Sequence, residues 1–286
     1  MNSRINHTLL TGSAAIIMLL SNGCGPNTPN PSHSNEPKSE KLATDYMFEQ
    51  GEWHVAYGNF PLIDEVDSTG TVSGLAVDIV NEIAARCRPP LKVVWHPIDW
   101  NRMRQQLDSG EYHMAAELNM QTTWRSQQFI QSTPIGKVGI CCALVSKNET
   151  RFKTFSDLNK PDLKIGISGG GESELNTRLL LTLPNIIVVD ETNSPFDIFE
   201  NVMTGKLDVA VHDHAMISLY CKAHPDKAKM LFANTTPYFI PVGFCFSKNH
   251  PDIAQFVNEN LQILTTDGTM KRIFEKWQIP FMQPYP

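Results

Sequence analysis

The chain has 286 residues, of which 41% are hydrophobic, 9% aromatic and 19% charged, a composition that is ordinary for a soluble globular protein of one or two domains. It carries 24 Lys and Arg residues against 30 Asp and Glu residues, so the net charge is −6. This balance argues against nucleic acid or an anionic membrane surface as the main partner.

The N-terminus has the features of a signal peptide, which we predict over residues 1–23. Arg4 supplies a positive charge, and the apolar stretch from Leu9 to Leu20 is too short to span a bilayer. The stretch ends in Leu20-Ser21-Asn22-Gly23-Cys24, which resembles the lipobox of bacterial lipoproteins, where the cysteine is acylated. The resemblance implies a lipid anchor at Cys24. The alternative is a plain secretory signal with an incidental cysteine.

Residues 24–49 are predicted to be the lipidated cysteine followed by a flexible tether. Pro, Asn and Ser are frequent in residues 25–44 and apolar residues are scarce, so this segment cannot offset the entropy lost on ordering. A tether of this kind would let a folded domain stand away from the membrane.

Besides Cys24, which acylation would block, five cysteines remain after cleavage, and an odd number leaves at least one thiol free. Their spacing does not determine the pairing, and no CxxC pair is present, which disfavours a structural zinc site. The five are Cys87, Cys141, Cys142, Cys221 and Cys245.

From Trp53 onward, short β-rich runs alternate with stretches of helical periodicity. The first series has predicted strands at 55–57, 91–95, 112–118 and 138–145, and predicted helices at 76–87 and 100–107. The second series has predicted strands at 163–168, 186–190 and 207–213, and predicted helices at 173–183 and 194–205. A strand at 242–246 and two helices complete the chain. This order predicts an α/β architecture of two lobes.

An ordered set of motifs runs through this folded body. The first half contains Asn59-Phe60-Pro61-Leu62-Ile63, Gly74-Leu75-Ala76-Val77-Asp78, Asp99-Trp100 and Thr122-Thr123-Trp124-Arg125. The second half contains Ser156-Asp157-Leu158, Gly169-Gly170-Gly171, the run from Gly205 to Asp213, Asp267-Gly268-Thr269 and Lys276-Trp277. Together these motifs resemble the family 3 extracellular solute-binding proteins, the receptors of polar amino-acid uptake transporters. The resemblance covers about residues 50–280.

The resemblance implies a two-lobed, periplasmic-binding-protein-like fold of type II, with a central cleft and two hinge crossings. Lobe 1 is predicted to comprise residues 50–143 and 240–286, and lobe 2 residues 144–239. A solute would dock first on lobe 1, and lobe 2 would then close over it.

In this family, the arginine of the Thr-x-x-Arg segment holds the α-carboxylate of the ligand, and Arg125 has that position here. The aspartate that ends a second-lobe strand accepts the α-ammonium group, a role that the resemblance gives to Asp213. Each residue has a plainer interpretation: Arg125 as a surface arginine, and Asp213 as a helix cap for the residues from His214 onward.

The resemblance also implies contacts to the rest of the ligand. Phe60 and Trp100 would sandwich its side chain, unless they belong to the core. The glycine loop, with Gly170 and Gly171, would offer backbone N–H groups at a helix start to a carboxylate.

Some positions depart from the family pattern. The loop continues with Glu172 in place of a hydroxyl residue, and Glu117, Leu118 and Met120 precede Arg125 where small hydroxyl residues are usual. We assign all four to the ligand site. Two carboxylates in the cleft would favour a cationic solute over an acidic one. The alternative is that both carboxylates point to solvent.

Other chemistries are weaker interpretations of the same residues. Ser168 lies in a G-x-S-x-G pattern, but no matched Asp and His partners are evident for a hydrolase. The cyclohexadienyl dehydratases resemble the same family, and Glu172 or Glu174 could supply the acid that such an enzyme needs for prephenate or arogenate. A ligand-sensing module of the same fold is a third interpretation.

We therefore predict an extracytoplasmic receptor that captures an amino-acid-like solute and delivers it to the membrane permease of an ABC transporter. It is expected to be monomeric, periplasmic or at the cell surface, and lipid-anchored to a bacterial membrane. We predict no cofactor, no metal, no nucleic-acid partner and no catalytic residue.

Overall fold

The computed structural model describes residues 41–169, 172–189, 194 and 196–285. The predicted signal peptide, Cys24, most of the predicted tether, and Gly170 and Gly171 of the predicted glycine loop lie outside these described residues. Within them, no helix combines the length and apolar character that crossing a bilayer requires.

Strands occur throughout the described part of the chain, and we number them in chain order. The strands are β1 Glu52–Tyr57, β2 Glu65–Val66, β3 Val72–Ser73, β4 Lys92–Pro97, β5 Met114–Met120, β6 Ile130–Gln131, β7 Gly136–Gly139, β8 Cys142–Ser146, β9 Lys164–Ser168, β10 Asn185–Val189, β11 Val209–His212, β12 Ala228–Leu231, β13 Phe239–Phe246 and β14 Met282–Pro284.

Helices alternate with these strands. They are α1 Ala43–Gln50, α2 Leu75–Arg86, α3 Met103–Ser109, α4 Thr123–Gln128, α5 Glu172–Leu180, α6 Asp197–Met203, α7 His214–Ala223, α8 Pro251–Thr266 and α9 Thr269–Trp277.

Two mixed sheets carry the fold, which confirms the predicted α/β class. The first has the strand order β14-β7-β13-β5-β1-β4, with β6 also paired to β13. In it β1 runs parallel to β4 and β5, whereas β13 is antiparallel to β5 and β7. The second has the order β10-β9-β11-β8-β12. Both sheets belong to one compact unit, Lys41–Pro286.

The chain passes between the two sheets twice. It leaves the first sheet after β7, enters the second at β8, and returns from β12 to β13. At the first passage, Ile140 and Cys141 are fully buried within one apolar cluster that includes side chains of both sheets. The single strand predicted over 138–145 is therefore wrong, because its continuous apolar run supplies two strands of different sheets. Periodicity alone does not reveal such a break.

The N-terminal part of the described chain also differs from the prediction. Residues 43–50, assigned to the flexible tether or its border, form α1. Its Met47 is fully buried, the backbone N–H of Thr44 donates to Asp252 at 2.7 Å, and Phe48 meets Phe256 edge to face with 5.5 Å between ring centroids. These contacts with α8 supply the burial that the preceding polar residues lack, so the ordered body begins earlier than its composition suggested.

Candidate functional site

A cavity of about 190 Å³ lies where the two sheets meet. The second half of β5 forms one wall, β7, β13 and β14 contribute apolar side chains, and the start of α7 reaches it from the second sheet. Seven of the residues assigned to the site from sequence line it: Phe60, Trp100, Glu117, Leu118, Met120, Arg125 and Asp213. Residues from both halves of the chain therefore line the same cavity.

Arg125 lies in the first turns of α4, the short helix that follows β5. The side-chain oxygen of Thr122 caps this helix by accepting a hydrogen bond from the backbone N–H of Arg125 at 3.1 Å. The guanidinium Nη1 donates to the carbonyl oxygen of Met120 at 3.1 Å. Among the described residues, no carboxylate is within ion-pair distance of Arg125. Most of its five donors are thus available to an anionic group in the cavity.

Asp213 lies at the junction of β11 and α7. One carboxylate oxygen accepts from the backbone N–H of Met216 at 2.8 Å, so the helix-cap interpretation is correct. The other lies 2.7 Å from Nδ1 of His212. Burial alone would raise the pKa of Asp213, but His212 and the backbone amides of Ala215 and Met216 outweigh it and hold the pKa below its usual value. Asp213 is therefore an anion that both caps α7 and lines the cavity.

Glu117 is on β5, in the cavity wall. Its Oε2 atom is buried and has no hydrogen-bond partner among the described residues. Burial raises the pKa of Glu117 to about 8, with a further contribution from the negative charge of Asp64 and an opposing one from Arg125. A carboxyl group with this pKa is mostly protonated at neutral pH.

Asp64 is a buried neighbour of Glu117 that sequence reasoning missed. Its side chain is 0% exposed and accepts hydrogen bonds from the backbone N–H groups of Gly58 at 2.6 Å and Phe60 at 2.8 Å. These bonds hold the loop that carries Phe60 after β1. Asp64 does not line the cavity itself, but it positions Phe60, which does.

The aromatic residues occupy different surroundings. Phe60 packs edge to face against Phe281 with 6.0 Å between ring centroids, and both line the cavity. Trp100 also lines it but is 52% exposed, so its indole has room to cover a bound molecule. Phe281 and Met282 come from the segment after α9, which no local motif connects with the site.

Glu172 is the described site residue that the structure does not bring to the cavity. It is the first residue of α5 and is absent from the lining. The next residue, Ser173, donates a hydrogen bond to the carbonyl oxygen of Ile140 at 2.8 Å, which ties α5 to the first passage between the sheets. Glu174 pairs with Arg178 at 2.9 Å, one turn further along the helix. Among the described residues, Glu117 is the glutamate that lines the cavity.

The sequence model of the bacterial extracellular solute-binding proteins, family 3, matches residues 54–280. A probable histidine-binding protein of Neisseria gonorrhoeae is 26% identical over 220 residues, 76% of this chain and 79% of the relative. A cyclohexadienyl dehydratase of Pseudomonas aeruginosa is 22% identical over 247 residues, 84% of this chain and 87% of the relative. The crystal structure of an ancestral amino acid-binding protein, a precursor of cyclohexadienyl dehydratase, superimposes with a TM-score of 0.65 at 24% identity and covers 83% of this chain and 99% of that one.

Proposed function

This chain belongs to the bacterial extracellular solute-binding proteins of family 3, and from that membership we propose that its cavity binds an amino-acid-like solute between Arg125 and Asp213. The observation that carries the proposal is the position of these two residues. An available guanidinium and a buried carboxylate come from opposite sheets and line the same small hollow.

The two charges suit the two ends of an amino acid. A planar guanidinium binds both oxygens of a carboxylate, so Arg125 takes the α-carboxylate of the solute. Asp213 takes the α-ammonium group through the carboxylate that the lowered pKa keeps ionised. A molecule with only one of these groups would pair with only one of the two charged residues, Arg125 or Asp213.

The size and lining of the cavity restrict the rest of the solute. About 190 Å³ suits a small molecule rather than a drug-sized one. Phe60, Trp100 and Met120 offer apolar and aromatic surface to a side chain. The name of the Neisseria gonorrhoeae relative, a probable histidine-binding protein, supports an amino acid as the solute class.

Capture is proposed to occur by hinge closure. Lobe 1, residues 50–143 and 240–286, holds Arg125 and the aromatic residues, and lobe 2, residues 144–239, brings Asp213. The two passages between the sheets are the proposed hinge. Only a closed form presents both charges to one solute, so the solute shifts the population toward that form.

The family is extracytoplasmic. We propose that the receptor is monomeric, that acylation of Cys24 anchors it to a bacterial membrane, and that it delivers its solute to the permease of an ABC transporter. The Cys24 segment lies outside the described residues, so its support is the lipobox-like sequence alone.

A thermal-shift screen with the twenty amino acids, polyamines and related osmolytes tests this function. A solute held only by the native state stabilises it by about 2.7 kcal/mol at a hundred times its Kd, so at least one amino acid is expected to raise the melting temperature by several degrees. If no amino acid does so, the proposed solute class is wrong.

A dehydratase is the second candidate function, favoured by the buried acid Glu117 and by the similarity to the Pseudomonas aeruginosa enzyme. The acids that the sequence suggested for this chemistry lie elsewhere, since Glu172 does not line the cavity and Glu174 pairs with Arg178. Adding prephenate to the same protein is expected to give no absorbance of phenylpyruvate. Appearance of that product would make the protein an enzyme.

A further inference from the structure

We propose that Glu117 selects a solute with a cationic group in its side chain and releases its own proton to water when that group enters the cavity. This inference rests on the proposed function of the cavity as an amino-acid site. It concerns the part of the solute that neither Arg125 nor Asp213 binds.

The packing around Glu117 holds its carboxyl group in one place. Glu117 follows the β5 segment that pairs with β1, and its side chain lies against Gly58, the residue that follows β1. A Cβ atom added at Gly58 would lie 3.0 Å from Cδ of Glu117 and 3.1 Å from Oε2. The bare glycine backbone thus leaves room for the carboxyl on that side, and Glu117 also lines the cavity.

The charged and titratable groups that face Glu117 leave it without an ionic partner of its own. Asp64, behind it, is a buried carboxyl group, Cys245 on β13 is a buried thiol, and Asp213 across the cavity is an anion. Arg125 is the cation among these described groups, but it lies beyond ion-pair distance and is assigned to the solute carboxylate. An unpaired buried carboxylate is costly, so the empty site favours the protonated acid.

The proton belongs to Glu117 rather than to Asp64. Burial raises the pKa of Asp64, but its two backbone hydrogen bonds oppose that rise, because such bonds favour the charged form of a carboxyl group. The Oε2 atom of Glu117 has no donor among the described residues, and its pKa is raised to about 8. At neutral pH the empty cavity therefore presents Glu117 as an acid that carries a proton.

A cationic solute changes this balance. Its positive group pairs with the ionised carboxylate, and the carboxyl proton leaves for bulk water, so the bound state holds one proton fewer than the free protein. Release of a proton means that binding tightens as pH rises. Affinity for the cation should increase by about tenfold per pH unit well below pH 8 and should level off above it.

Calorimetric titration with L-arginine tests the inference, with L-glutamine as the uncharged control solute. Titrations near pH 7 in two buffers of different ionisation enthalpy count the protons released. We expect close to one proton per L-arginine and none per L-glutamine. In Glu117→Gln the release should disappear, the affinity for L-arginine should fall at least tenfold, and the affinity for L-glutamine should stay unchanged.

A matched variant controls for loss of a carboxylate in general. Glu275→Gln removes an exposed glutamate on α9, away from the cavity, and should bind and release protons like the unchanged protein. His212, beside Asp213, is retained in both variants. The difference between Glu117→Gln and the unchanged protein therefore isolates Glu117, provided that their melting temperatures agree within a few degrees.

Four outcomes separate the possibilities. Proton release that persists in Glu117→Gln overturns the inference. Binding of L-glutamine without binding of L-arginine also overturns it, but leaves the proposed function intact. Failure of every amino acid to bind contradicts the proposed function itself. A melting temperature of Glu117→Gln far below that of the unchanged protein would overturn the specificity role in favour of a purely structural one.

Discussion

Replacement of Arg125 by alanine is expected to weaken binding of the solute by about 2 to 5 kcal/mol, or about 30-fold to 5,000-fold in Kd. Among the described residues, the guanidinium donates one hydrogen bond, to the carbonyl oxygen of Met120, so its removal should alter stability little. Its loss leaves the solute carboxylate buried without a cation. Calorimetric titration of the amino acid that binds most tightly measures the change.

Two controls make the assignment of Arg125 specific. Arg125→Lys keeps the positive charge but loses the planar pair of donors, so its affinity should fall between those of the unchanged protein and Arg125→Ala. Agmatine, which is arginine without its α-carboxylate, should bind equally to the unchanged protein and to Arg125→Ala. Equal binding of the amino acid by Arg125→Ala and the unchanged protein would remove Arg125 from the site.

Asp213→Asn is expected to reduce affinity by a similar amount, because it removes the one charge proposed for the α-ammonium group. Asparagine is as good a helix cap as aspartate, so the contact with the backbone N–H of Met216 should survive. The substitution therefore separates the two roles of this residue. Melting temperature should change little while the Kd rises by orders of magnitude.

Asp213→Ala is the matched comparison for the helix cap. It removes both the charge and the cap, so it should lose the same affinity and also about 1 kcal/mol of stability. If Asp213→Asn binds normally while Asp213→Ala is merely less stable, Asp213 is only a helix cap and the proposed ammonium site is wrong.

Periodicity and ordered motifs predicted the α/β class and two lobes because these are properties of local sequence. The apolar residues of α2 recur at helical spacing, and Gly110 ends α3 in a left-handed conformation with φ of 75°. Arg125 and Asp213 could be placed together because each stands in a family motif. The structure adds that both line one hollow.

Other parts of the site had no local signal. Phe281 and Met282 reach the cavity because the segment after α9 returns to the first sheet as β14, which depends on pairing with β7. From the sequence, Glu117 and Glu172 were both predicted to be carboxylates of the cleft. Their surroundings differ, since β5 turns Glu117 into the cavity whereas Glu172 starts a helix outside its lining.

The central claim is that one amino acid joins charges from the two sheets, and a crystal structure of the protein with its tightest-binding amino acid tests it most directly. The account predicts both carboxylate oxygens of the solute on the Arg125 guanidinium, and its α-ammonium within about 3 Å of an Asp213 oxygen. A solute that occupies the cavity without touching both residues, or that binds elsewhere, would contradict the account.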